Sequence, residues 1–77
     1  MKPLNELDHA ILVVDLPEHG LRAGDVGTVV LVHGKGEGYE IEFCAMDGET
    51  IGVVTVDANQ VRSGAAREVP HVRRMAG

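Results

Sequence analysis

The sequence predicts a small all-β domain, a barrel of about five antiparallel strands, and three features lead there. Short β-branched runs recur along the 77 residues with turn signals between them. Tyr39-Glu40-Ile41-Glu42-Phe43 alternates strictly between apolar and charged residues, the period of a strand with one wet face. No stretch of useful length repeats apolar residues at helical spacing, which argues against βαβ units.

Taken in order, residues 1 to 7 form a lead-in, with Leu4 and Leu7 available to cap one end of the core. Asp8 to Asp15 is the first strand; its centre, Ala10 to Val14, is apolar on both faces, so something must cover the second face. Pro17, Gly20 and Gly24 then forbid a continuous helix and make Leu16 to Gly24 a loop. Val26 to His33, rich in stiff valines, is the second strand, and Gly27 at its start suits either a close backbone approach or a bulge. Gly34, Gly36 and Gly38 supply the positive φ values of a turn into the third strand, Tyr39 to Phe43. Asp47-Gly48 signals a two-residue hairpin into the fourth strand, Thr50 to Val56, completing a meander. Asp57 to Gln60 reads as a short 3₁₀ or α turn capped by Asp57, before a closing strand at Val61-Arg62. This divides the chain into a barrel over residues 1–62 and a basic tail over 63–77, jointed at Ser63 to Ala66, whose stretch Glu68 to Met75 reads either as a segment that docks back on the body or on a partner or as a frayed end.

A chain this short hides only about 60% of the surface its unfolded form exposes. Its single cysteine, Cys44, closes no internal disulfide, and Cys44 with the four histidines shows no zinc-ligand spacing. No metal or cofactor is expected, and association with another chain becomes a further source of stability. The longest apolar run, Ala10 to Val14, is too short to span a bilayer, and the opening residues lack a signal-peptide core; the expectation is a soluble cytoplasmic protein of bacterial type with no membrane partner.

The formal charge of −5 is unevenly spread: residues 1–60 carry three cations against eleven carboxylates, a net of −8, while residues 61–77 carry four arginines against Glu68. An acidic body repels phosphate backbones, since nucleic-acid affinity rests on Lys and Arg displacing counterions. Tyr39 and Phe43, the two aromatics, both point inward, leaving none for proline-rich grooves, methyl-lysine cages or base-stacking platforms.

Glu18, His19 and Asp25 could serve acid–base chemistry, but no nucleophile or activating group stands nearby. They read instead as loop residues, with Asp25 accepting backbone N–H bonds at a turn. Gly34 to Gly38 is no phosphate cradle, because a strand follows it rather than a helix. Cys44 reads as an inert, partly buried thiol, with no cation beside it in sequence. Glu40 and Glu42, with Glu37 and Glu49, form an acidic face on which the tail arginines Arg67, Arg73 and Arg74 could dock, within one molecule or between two.

Three blocks, Leu16-Pro17-Glu18-His19-Gly20-Leu21, Ala23-Gly24-Asp25-Val26-Gly27-Thr28-Val29-Val30 and Tyr39-Glu40-Ile41-Glu42-Phe43, resemble the domain-of-unknown-function family DUF4926 of small bacterial proteins. Asp47-Gly48 and His71-Val72-Arg73 extend the resemblance over most of residues 4 to 74. It implies an SH3-like barrel, and by association a binding role in the style of antitoxin or immunity pairs. It implies no catalytic residue, so the chain is not expected to be an enzyme.

The expected function is therefore a protein-binding module that contacts either a copy of itself or a small neighbouring-gene product. Glu18, His19, Leu21, Glu40, Glu42, Arg73 and Arg74 are its candidate contact residues. The alternatives are a nucleic-acid-binding SH3-like module, resting on fold analogy and the arginine tail, or an accessory subunit of an enzyme.

Overall fold

The computed structural model describes residues 3–75; the outermost positions of the lead-in and of the tail lie outside them. Five antiparallel strands, β1 (His9–Leu12), β2 (Val26–His33), β3 (Gly38–Cys44), β4 (Thr50–Asp57) and β5 (Val61–Ser63), form one sheet in the order β4-β3-β2-β1-β5. The sheet is open: β4 and β5 are its two edges and do not pair with each other among the described residues.

Alternation decides which side chains go inside. Tyr39, Ile41 and Phe43 from β3, Val54 and Val56 from β4, Ala10 and Leu12 from β1, Val29 from β2 and Val61 from β5 meet in one buried cluster. Leu4, Leu16 and Leu21 close it. The Leu4 N–H donates to the buried Tyr39 hydroxyl at 3.2 Å, so the one polar atom on that ring has a partner. Leu7 does not join Leu4 as a cap. It adopts φ 71° and is 79% exposed, because its N–H turns to the Val29 carbonyl at 2.7 Å and swings the side chain outward.

Gly27 resolves in favour of close approach. A Cβ there would overlap Ile41 Cγ2 and stand 2.8 Å from the Glu42 carbonyl oxygen, so β2 reaches β3 only because position 27 has no side chain. The bulge lies three residues on, where the ladder shifts register between Val29 and Leu31.

The first strand is shorter than expected. It ends at Leu12, and beyond it Val13 donates to the Gln60 carbonyl at 2.9 Å while the Asp15 side chain takes the Ala23 N–H at 2.9 Å, bending residues 13–15 into the following loop. The Asp47-Gly48 turn also differs from the two-residue form. Gly48 (φ 89°) donates to the Ala45 carbonyl at 2.9 Å and Ala45 donates to Glu49 at 2.8 Å, a three-residue loop with glycine in the left-handed position. A two-residue type I′ turn needs positive φ at both central residues, and Asp47 does not supply it. In the other hairpin only Gly34 and Gly36 have positive φ; Gly38 is already in β3, opposite His33.

The 3₁₀ turn Ala58–Gln60 stands before the last strand, as the sequence predicts, with the Gln60 side chain accepting the Asp57 N–H at 2.8 Å. The closing strand runs one residue past the expected boundary, to Ser63.

Candidate functional site

The register shows which backbone groups remain free at the edges. Ala58 donates to the Glu37 carbonyl at 3.2 Å, and the β3–β4 ladder pairs Tyr39 with Val56 and Ile41 with Val54 on the same register. In an antiparallel ladder alternate pairs exchange both bonds. Val54 and Val56 therefore bond inward to β3, while Val53 and Thr55 aim their N–H and C=O away from the sheet. The β2 ladder agrees: Val29 bonds toward the β1 side through Leu7 and Asp8, which leaves its opposite number Ile41 facing β4.

On the outer face beside that edge, the register lines up Leu31, Glu40 and Thr55 in one row and Thr28, Glu42 and Val53 in the next. The Thr55 hydroxyl donates to Glu40 at 2.8 Å and Thr50 donates to Glu42 at 3.0 Å. His33 Nε2 lies 2.5 Å from Glu40 Oε2. These bonds, from His33 first and Thr55 second, hold the Glu40 carboxyl below the usual carboxylate range against slight desolvation. The acidic face is a charged, cross-strand-bonded surface flanked by apolar side chains, with Val53 55% exposed.

The arginine tail does not dock there. Arg73 instead forks onto Asp25, Nε to Oδ1 at 2.8 Å and Nη2 to Oδ2 at 2.6 Å, and also donates to the Gly20 carbonyl at 2.9 Å. Asp25 is the better anchor because it is partly buried and fixed by the Arg22 N–H at 2.9 Å, whereas the outer glutamates already hold bonds from threonines. Burial pushes the Asp25 carboxyl up, but the Arg73 fork, the Arg22 N–H and both guanidinium charges outweigh it and bring it below the ordinary value. A second fork joins Arg62 to Glu68, at 2.7 and 2.5 Å, and the Ala65 N–H donates to the same carboxylate at 2.7 Å. The Arg62 guanidinium and that N–H hold the Glu68 carboxyl down to about 2.

The seven candidate contact residues thus fall into two groups. Glu40 and Glu42 stay together on the outer face. Arg73 and Arg74 join the loop, lining a cleft with Asp15, Pro17 and Arg22. Glu18 and His19 stand exposed on the 3₁₀ turn Pro17–His19, 4.0 Å apart. Leu21 is buried in the core and offers no surface to a partner, since its backbone bridges to Leu16 and turns the side chain inward. Cys44 is exposed rather than partly buried, because it stands at the strand end where the ladder shifts register.

Sequence reasoning missed the role of Asp25 as the tail anchor, since nothing local announces a partner 48 positions away. It also missed the free edge of β4, although the run Thr50 to Asp57, without proline or cation, carries that signal.

Among the described residues, no three His, Cys, Asp or Glu side chains come together as a metal site, and no helix is long and apolar enough to cross a membrane. The fold and the surface define a small all-β domain with one open antiparallel sheet. Residues 6–63 match the family model described as Domain of unknown function (DUF4926), and the chain belongs to that family. The match ends with β5, so the tail lies beyond it. Neither a curated protein nor a solved structure matches the chain.

Proposed function

We propose that this chain is a protein-binding module, of SH3-like barrel type, that takes an extended strand of its partner on the free edge of β4. One observation carries the reading: an eight-residue, β-branched edge strand with outward backbone groups at Val53 and Thr55 and with no proline, lysine or arginine to guard it. Strand addition draws affinity from main-chain bonds and specificity from alternate side chains. Here those side chains are apolar at Val53 and Leu31 and acidic at Glu40 and Glu42, which favours a partner strand that alternates apolar and basic residues. The partner is a second copy or a small separate chain. Nucleic-acid binding is disfavoured by the same glutamates, and by the engagement of Arg62 and Arg73 in internal ion pairs.

The test places a photo-crosslinking residue at position 53 and, as a control, at position 13, which is comparably exposed but off the β4 edge. A discrete adduct from position 53 and none from position 13 is expected. Equal, diffuse labelling from both positions, or no adduct at 53, contradicts the reading.

A further inference from the structure

We propose that the cleft beneath the C-terminal segment is a second binding site, which takes an extended, arginine-bearing apolar segment of a partner protein, and that residues 69–75 occupy it as a displaceable stand-in. The site has a polar end and a greasy wall. At the polar end the Asp25 carboxylate and the Gly20 carbonyl grip the Arg73 guanidinium through three hydrogen bonds, with the Asp15 charge reinforcing them. The wall is Val26, Met46 and Ile51, with the buried Phe43 behind them.

The present occupant fits poorly everywhere except at its arginine. Among the described residues, positions 69 to 75 make no backbone–backbone hydrogen bond. Val69 is 87% exposed and Val72 68%, although both lie beside apolar walls. A cleft of about 440 Å³ stays open between Val72 and the wall of Val26, Met46 and Ile51. A second, of about 600 Å³, stays open between Val69, Pro70 and Ile11. Such a site is larger than the segment lying in it, and it is specified at one point by a planar fork that lysine cannot reproduce. The −8 charge of residues 1–60 favours a cationic occupant over an acidic one.

The tail competes as a tethered ligand, at an effective concentration of order millimolar for so short a joint. Releasing it therefore exposes the site. The probe is a synthetic peptide of residues 67–75, titrated into the full-length chain carrying Arg73→Glu and followed by backbone amide shifts. Saturable shifts at Val26, Phe43 and Ile51 are expected, with binding several-fold tighter than to the wild-type chain and at least tenfold tighter than that of the same peptide carrying Arg73→Glu. Absence of saturable shifts, or equal binding by the charge-reversed peptide, overturns the proposal. Should the Arg73→Glu chain fail to fold, the wild-type chain is titrated with millimolar peptide. Release of its own residue 69–75 amides then supports the site, and their staying in place overturns it. Failure of the β4 crosslink leaves this titration untouched, because Val53 and Thr55 do not line the cleft.

Discussion

The two edges of the sheet are treated differently. β5 is three residues long, the carbonyl of its last residue accepts from the Arg62 guanidinium at 3.1 Å, and the Arg62–Glu68 fork folds the next turn against it. β4 is eight residues long and carries none of these guards. Short strands, cations and covering loops are how proteins prevent unwanted pairing. An edge left without them, in a chain that equips its other edge with all three, is an edge available for pairing.

The comparison breaks most visibly with proline, placed one residue apart. Val54→Pro removes the ladder bond to Ile41 and a buried side chain, and is expected to cost about 3 kcal/mol or more, a large share of the total for a small domain. Val53→Pro, whose N–H points outward, is expected to keep a near-native denaturation midpoint and to lose the adduct formed by a photo-crosslinking residue moved to position 55. Equal destabilisation by the two variants in urea unfolding would mean that the assigned direction of the backbone groups is wrong.

A defect in the middle of the sheet harms both edges alike. Gly27→Ala forces a methyl group against Ile41 and the Glu42 carbonyl, with an expected loss of about 1–3 kcal/mol by chemical denaturation.

At β5 the guard is exposed to solvent and the effect is smaller. Glu68→Gln is expected to leave the denaturation midpoint close to wild type, since exposed ion pairs contribute little, but to lower the protection of the Arg62 amide, which lies opposite Ile11 and bonds to β1. Acid acts in the same direction. The folded-state pKa of Glu68 is depressed to about 2, so its contribution is complete above the ordinary glutamate range and fades as pH falls from there toward about 2. The protection factor of the Arg62 amide, measured against its slower intrinsic exchange in acid, is expected to fall across that window while that of Val54 stays high. The smallest effect on stability belongs to Val53→Lys, within about 0.5 kcal/mol of wild type, yet the added charge is expected to abolish strand addition.

What was legible in the sequence follows from the range of each signal. The inward set Tyr39, Ile41 and Phe43 and the 3₁₀ turn at Ala58–Gln60 are local matters of alternation and capping, and the chain states them within a few residues, whereas at Gly27 it leaves close approach and bulge both open. The end of β1 at Leu12 and the three-residue form of the Gly48 loop depend on bonds to Gln60 and on the register of the neighbouring strand, which alternation does not encode. The tail's choice of Asp25 over Glu40 and Glu42 turned on burial and on threonines across the sheet, neither visible from charge alone. Strand order decides whether a β-branched run is interior or edge, so the open side of β4 emerged only with the topology.

The most direct measurement is residue-resolved amide hydrogen exchange on the isolated chain, dilute enough to be monomeric. A free edge requires the amides of Val53 and Thr55 to exchange fast while those of Val54 and Val56, bonded to β3, are strongly protected. Protection of all four to the same degree would show that something already covers β4, and would contradict the account.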